Sequence, residues 1–323
     1  MSRFLRIAFL LPALSSPALG WGCEGHQIVA LIARAHLTAE ASAAVDGLLR
    51  ASPIDEALNR FCRDHPSDLM ADSATWADDA KNREKTGVWH YIDIPRSVAA
   101  AASTGPSGVE AWCPPIGPSV DGKNRPGCIT NAIGYELAIL RDKASPLADR
   151  ATALRYIIHF VGDIHQPLHD VDNDDQGGNC TAIQFFGEEQ PANLHAIWDY
   201  KLIQRALDRG KLSPSAYAAD LDKRFADRFT GLSGAADDPV AWAWETHGFA
   251  LRNTYGNLDP GIPVGEIDPK ADPQAACSAE RDKVRALHIV IGDRYFDNAM
   301  PVIDERLATA GFRLAKLLNE VFR

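Results

Sequence analysis

Apolar residues recur at helical spacing along most of the chain, and the strict alternation of apolar and polar positions that marks a half-buried strand is scarce. The clearest stripe is Leu154, Ile157, Ile158 and Val161, which predicts a helix over Pro146–Gln166. Similar patterns predict helices over His26–Ala35, Ala39–Leu49, Ser67–Lys81, Asn131–Arg141 and Asn193–Leu207. Local chemistry marks some of the starts. Thr38 stands as a cap before Ala39. Pro214 and Pro239 suit first helical turns, where a missing N–H costs nothing, with Ser213 and Asp238 as caps ahead of them. The last part, Ser278–Phe322, is expected to be helical and interrupted at Pro301, whose ring removes a hydrogen bond from a helix interior. No low-complexity linker or internal repeat divides the chain. The expected fold is all-α, a single domain whose site is lined by helices.

Gly/Pro-rich stretches separate these segments. Ser103–Gly127 is long for a connection without structure of its own, which points to a functional or mobile loop. Asp170–Gly178, DVDNDDQGG, looks like a calcium loop but lacks the closing glutamate, so it reads as a polar turn. At the amino terminus, Arg3 and Arg6 precede an apolar stretch and small residues around Ala18 and Gly20, the pattern of a secretory signal peptide. That stretch is too short to span a bilayer. Cleavage after Gly20 would leave Trp21 first, with a domain over 21–323 in a secreted or periplasmic protein that keeps no hold on a membrane.

The chain carries 33 Lys and Arg against 43 Asp and Glu, a formal charge of −10, and losing Arg3 and Arg6 with the leader takes this to −12. Recognition of nucleic acid by general electrostatics would call for the reverse balance. The six cysteines, Cys23, Cys62, Cys113, Cys128, Cys180 and Cys277, all lie beyond the leader, as suits an exported protein with disulfides. Of the pairings open to them, Cys113 with Cys128 is favoured because the two flank a Pro/Gly-rich stretch. No CxxC spacing assigns the thiols to a metal.

The chemistry concentrates between His159 and Asp199. HFVGDIHQPLH opens this stretch and HAIWD closes it. Residues four apart share a helix face with Cβ atoms about 6 Å apart, so His159/Asp163 and His195/Asp199 each form an imidazole and carboxylate pair. One such pair is more often a hydrogen-bonded couple than a metal site. Two pairs, together with His165 and with His169 turned aside by Pro167, favour metal. Burying so many polar groups without an ion would leave several unsatisfied, at about 1 to 3 kcal/mol each. Imidazole and carboxylate together suit zinc.

Two further stretches, TWADDAK at Thr75–Lys81 and WHYIDIP at Trp89–Pro95, join Trp21 and His26 to the pattern. Residue by residue, these motifs resemble the zinc-dependent single-strand nuclease and 3'-nucleotidase family, the nucleases S-one and P-one and their bacterial relatives. That family's fold is similar to zinc-dependent phospholipase C. The resemblance covers essentially the whole mature chain. It implies three Zn2+ ions: one on Asp78, His90, His159 and Asp163; a second on Asp163, His26 and the free α-amino and carbonyl of Trp21; a third on His169, His195 and Asp199. His165 is not a ligand in the family pattern and would support the ligands from behind. Asp78 resembles the carboxylate that orients or deprotonates the attacking water, and Lys81 its basic partner; a lysine there would neutralise phosphoryl oxygens. Tyr91 and Asp93 resemble the family's base-stacking aromatic and base-reading carboxylate, with tyrosine where the family often has phenylalanine, and Asn179 resembles another base contact. Its sequon, Asn179-Cys180-Thr181, is not expected to be glycosylated at a pocket position.

The implied activity is hydrolysis of single-stranded DNA and RNA to 5'-mononucleotides, with 3'-nucleotidase activity, by a monomer using a metal-bridging hydroxide. Two alternatives stand beside it. A zinc-dependent phospholipase C resembles this chain in ligand order but has glutamate where Asp199 stands and lacks the Tyr91/Asp93 base site. A non-catalytic zinc-binding protein would need neither Lys81 nor an aromatic beside His90.

Overall fold

Helices dominate the computed structural model, which describes residues 20–99, 108–231, 238–265 and 272–323. Residues 1–19 of the expected leader and the start of the expected long loop lie outside the described residues. In chain order the helices are α1 (Cys23–Ala35), α2 (Ala39–Ala51), α3 (Leu69–Asp72), α4 (Trp76–Glu84), α5 (Ile129–Arg141) and α6 (Leu147–Asp163). They continue as α7 (Leu194–Ala196), α8 (Leu202–Gly210), α9 (Pro214–Gly231), α10 (Pro239–Phe249), α11 (Pro273–Ala286) and α12 (Asp293–Val321). The fold is all-α and a single domain, as the periodicity predicts.

From Ala153 to Asp163 every residue of α6 is buried, because α5, α12, α2, α4 and α1 pack around it. A helix apolar on all sides needs such a surround. α1 and α12 cross so closely that a Cβ on Gly311 would come within 2.6 Å of Ile32. The capping residues act as expected: Thr38 accepts from the Ala41 N–H, Ser213 from Ala216, and Asp238 from Val240 and Ala241.

Two expectations need correction. The helix predicted over Ser67–Lys81 is broken at Ser73–Thr75 into α3 and α4. Asp68 caps the first piece, and the Ala74 carbonyl turns away to accept a hydrogen bond from His159. The carboxy-terminal helix is not interrupted at Pro301, since α12 runs through it. The proline ring is exposed while Ala299, Met300, Val302 and Ile303 are buried. Burial of such side chains, worth about 1.5 to 3 kcal/mol each, outweighs the roughly 3 kcal/mol a helical proline costs. The break falls earlier, between Ala286 and Asp293.

That break holds a short strand. β1 (Ala182–Phe185) pairs antiparallel with β2 (Ala192–Asn193), Ala182 opposite Asn193, and parallel with β3 (Val290–Ile291), Gln184 opposite Val290. The β1–β2 hairpin delivers the chain into α7 and so places His195. Three disulfides join Cys23 to Cys62, Cys113 to Cys128 and Cys180 to Cys277; the second is the pairing expected. No helix among the described residues is long and apolar enough to cross a membrane.

Candidate metal centre and substrate cleft

Six parts of the fold deliver the predicted ligand side chains to one buried place. α1 brings His26, α4 brings Asp78, a tight turn at Gly87–His90 brings His90, and α6 brings His159 and Asp163. Pro167 ends α6 as expected, so the turn Pro167–His169 offers His169 from a new direction. α7 and the wide turn that follows it, Ile197–Lys201, present His195 and Asp199. None of the eight side chains is more than 5% exposed. Gly162 leaves room for His26: a Cβ there would lie 2.8 Å from His26 Nδ1.

Asp163 stands at the middle. Its Oδ2 lies 3.0 Å from both His90 Nδ1 and His159 Nε2, and its Oδ1 lies 3.2 Å from His26 Nε2 and 3.9 Å from His169 Nδ1. Asp78 approaches His159 at 3.8 Å and His90 at 3.9 Å. Beyond His169, Asp199 lies 3.8 Å from His169 Nε2 and 3.4 Å from His195 Nε2. Three compact ligand groups result: His26, Asp78 and His159; His90, His159 and Asp163; and His169, His195 and Asp199.

The donor chemistry fits cations. His169 Nδ1 donates to the His90 carbonyl and His195 Nδ1 to the Gly177 carbonyl, each at 2.7 Å. In neutral imidazoles the opposite nitrogens then carry lone pairs, and these face each other at 3.2 Å. Two lone pairs so placed repel unless a cation lies between them, and a backbone carbonyl behind each ring is the usual way a metal-binding histidine is oriented. Gly177 can supply that carbonyl because its φ of +60° suits glycine, and a Cβ would meet the Leu168 carbonyl at 2.5 Å. In the other half, His26 Nε2, Asp78 Oδ2 and Asp163 Oδ1 are buried with no aligned hydrogen-bond partner, as metal ligands would be.

Burial lowers the His90 pKa to about 4, and burial followed by the charge of His169 lowers His195 to about 3. Burial would also lower His159, but Asp163 and Asp78 raise it to about 8, a measure of how strongly this half of the centre draws positive charge. The signs set a pH dependence. Solvated histidines titrate near 6.5, so below that pH the unfolded chain takes up protons that His90 and His195 refuse in the fold. Their contribution is complete above 6.5 and is lost as pH falls towards 3. His159 acts oppositely, its contribution fading as pH rises through about 8. In metal-stripped protein the His90 and His195 imidazoles should therefore titrate well below 6.5, and an NMR titration that places either near 6.5 would contradict these assignments.

Lys81 is 5% exposed and pairs with Asp78 Oδ1 at 3.0 Å. An ordinary surface lysine would not be held so. His165 lies elsewhere: its Nδ1 donates to the Val161 carbonyl and its Nε2 accepts from Arg313 on α12, so both ring nitrogens are occupied away from the ligands. The ligand support that spacing did not reveal is Gln166, whose amide donates to Asp199 Oδ1 at 2.5 Å while its oxygen accepts from the Leu168 N–H.

Residues 92–96 run beside 169–172, with Ile92 N–H donating to the His169 carbonyl and Arg96 N–H to Asp172. Ile92 and Ile94 point inward, so Tyr91, half-buried, and Asp93, exposed, share the outer face. Restricted access to water, then the crowding of the Asp172 and Asp175 carboxylates, raises the Asp93 pKa to about 8. The expected polar turn does lie beside the centre. Its Asp175 is occupied by Thr181, Gly178 N–H and Tyr255. Asn179 is half-buried and opens onto a cleft of about 740 Å³ that also reaches Asp199.

Trp21 is wholly buried, and its carbonyl accepts from the His26 N–H. Gly20 lies against the centre itself: a Cβ on it would fall 1.6 Å from Asp163 Oδ1 and 2.7 Å from His26 Nε2. The residue ahead of Trp21 thus fills the space between two of the orphaned ligand atoms.

A helical domain that gathers buried imidazoles and carboxylates around facing lone pairs belongs to the class of proteins with a metal centre in a helical core. A family profile described as S1/P1 nuclease matches residues 21–323. The chain belongs to the S1/P1 nuclease family, hydrolases acting on nucleic acids. It is 30% identical to "Nuclease S1" of Aspergillus oryzae, over 99% of this chain and 98% of that protein. It is 28% identical to "Endonuclease 4" of Arabidopsis thaliana, over 100% and 97%. With "Nuclease P1" of Penicillium citrinum it shares 24% identity, over 93% and 97%.

Proposed function

We propose that this protein is an exported, monomeric hydrolase that cuts single-stranded DNA and RNA to 5'-mononucleotides and removes the phosphate of 3'-nucleotides. Three zinc ions are assigned as follows: Asp78, His90, His159 and Asp163 for one; Asp163, His26 and the amine and carbonyl of Trp21 for a second; His169, His195 and Asp199 for a third. The observation that carries this reading is the facing pair His169 and His195, whose ring nitrogens have backbone partners behind and bare lone pairs in front. When bound, such ions lower the pKa of water and neutralise phosphoryl oxygens.

The chain's own groups divide the remaining work. Asp78 orients the attacking water and takes its proton as the water oxygen bonds to phosphorus. Lys81, held against Asp78, sets a fixed positive charge beside the phosphoryl oxygens. The bond from phosphorus to the 3' oxygen breaks, the 3' oxygen takes up a proton from solvent, and the phosphate stays on the 5' side. Tyr91 stacks on the base of the nucleotide that owns the 3' oxygen, with Asp93 and Asn179 as polar contacts to it. Stacking needs an unpaired base, which is how single strands and loops would be preferred over duplex.

Base recognition separates from hydrolysis in an assay. Tyr91→Ala should lower kcat/KM on single-stranded oligonucleotides and 3'-nucleotides by roughly one to two powers of ten, from a stacking energy of about 1 to 3 kcal/mol. A phosphodiester with no base should be cut nearly as fast as before. Asp78→Asn should depress both kinds of substrate together. Parallel loss of both substrates and of zinc in the Tyr91 variant would remove this residue from base recognition and leave it as packing beside His90.

A further inference from the structure

His26 on α1 and Asp78 on α4 meet with His159 in one compact ligand group, and a covalent bond ties the elements that carry them from outside the centre. Cys23, the first residue of α1, is bonded to Cys62. The segment around Cys62 is held in turn to α4. Asp79, the neighbour of Asp78, accepts the backbone N–H groups of Arg60 and Phe61 at 2.8 and 3.0 Å. Cys62 Sγ lies 3.3 Å from the hydroxyl of Thr75, the residue that precedes α4. Gln27 on α1 adds a weaker tie by donating to the Asp64 carbonyl at 3.1 Å. The disulfide thus closes a path from His26 to Asp78 that does not pass through the ligands.

The same bond stands two residues from Trp21. Chain ends fray unless they are tied down, and cleavage before Trp21 would make this an end. Trp21 folds back on α1, so closely that a Cβ on Gly25 would lie 2.7 Å from Trp21 Cβ, and the disulfide fixes the chain just beyond it. Access to the three disulfides differs. Five of the six cysteines are buried, whereas Cys23 is half-buried and lines the cleft that reaches Asp199. Reduction needs a sulfur that a reductant can reach, so this is the bond open to it in the folded protein.

We propose that the Cys23–Cys62 disulfide is a redox-controlled positioning device for the metal centre: oxidised, it holds the amino terminus and His26 against Asp78; reduced, it weakens the hold of that half on zinc. The inference rests on the zinc reading of the centre. A reductant thiolate attacks Cys23 Sγ, the S–S bond breaks, and Cys62 leaves as a thiolate. A second reductant thiolate resolves the mixed disulfide, so two reductant thiols become one disulfide and their protons pass to the two cysteines. Full metal occupancy, and the hydrolysis that needs it, is then confined to an oxidising compartment, where such bonds persist.

The test starts from processed, oxidised, zinc-loaded protein and reads bound zinc, circular dichroism and cleavage of a single-stranded oligonucleotide. A phosphine reductant, which becomes its oxide by taking oxygen from water and does not chelate zinc as a dithiol would, should release part of the zinc and leave the helical signal unchanged. Alkylation and mass mapping should find Cys23 and Cys62 freed first. Cys23→Ser/Cys62→Ser, which needs no reductant, should raise the zinc concentration for half-maximal activity roughly tenfold to a hundredfold, the usual cost of losing a group that orients metal ligands. At saturating zinc its kcat should return to near that of the unmodified protein, a rescue that a general loss of stability would not give. Cys113→Ser/Cys128→Ser should keep its zinc. Unchanged zinc affinity in the Cys23/Cys62 variant, an equal loss in the Cys113/Cys128 variant, or earlier alkylation of the other cysteines overturns the proposal. Oxidised protein that binds no zinc, or binds it and cleaves nothing, fails at the reading of the metal centre, and the proposal falls with it.

Discussion

A chain that keeps any residue ahead of Trp21 should bind one zinc ion fewer than the processed chain and lose most of its nuclease activity while remaining folded. The reason is local. Gly20 stands against Asp163 Oδ1 and His26 Nε2, so a preceding residue fills the space in which those atoms and the Trp21 amine would meet an ion. An amide nitrogen is also a poor ligand, since its lone pair is delocalised into the carbonyl, whereas a free amine is a good one. The rest of the fold does not depend on that cut, because with Gly20 in place Trp21 is buried and its carbonyl accepts the His26 N–H. The comparison is between protein beginning at Trp21 and protein with a few added residues, by metal analysis, circular dichroism and cleavage of single-stranded DNA. Equal zinc content and equal activity in the two would refute the amine as a ligand.

Asp163→Asn should be the most damaging single substitution in the centre. Asp163 lies within 3.9 Å of four of the histidines, His26, His90, His159 and His169, whereas Asp199 lies that close to two of them, His169 and His195. Burial would raise the Asp163 pKa, but His159 and His169 more than offset it and hold the carboxyl well below the usual range, so it stays ionised. An amide keeps the shape and removes the charge that two ions would share on the proposed assignment. Zinc content should fall further in Asp163→Asn than in Asp199→Asn, with activity near background in the former. Full zinc occupancy in the Asp163 variant would show that no ion depends on it as a bridge.

Two His/Asp pairs were legible because a helix converts spacing into direction: His159 with Asp163, and His195 with Asp199, needed only a four-residue interval, while Trp21, His26, Asp78 and His90 joined them only through the family resemblance. The turn of His169 followed from Pro167. Capping of α2 and α10 was equally local, at Thr38 and Asp238. What local pattern could not supply were partners distant in sequence. The split between α3 and α4 depends on the Ala74 carbonyl meeting His159, 85 residues on. The continuity of α12 through Pro301 depends on packing that sequence periodicity does not weigh. Of the disulfides, only the one spanning 15 residues could be favoured; those spanning 39 and 97 depend on the fold. Lys81 reads as a surface residue without the family resemblance, and only its burial against Asp78 changes that. Gln166 sits inside HFVGDIHQPLH but no spacing rule marks it, and it is its contact with Asp199 that makes it informative.

The most direct measurement is a zinc count on processed protein paired with cleavage of single-stranded DNA, RNA and a 3'-nucleotide before stripping, after stripping and after zinc is restored. The account predicts three zinc ions per chain, activity that vanishes with them and returns with them, and duplex cut far more slowly than single strands. Undiminished cleavage by metal-free protein, or zinc-loaded protein that leaves all three substrates intact, would contradict it.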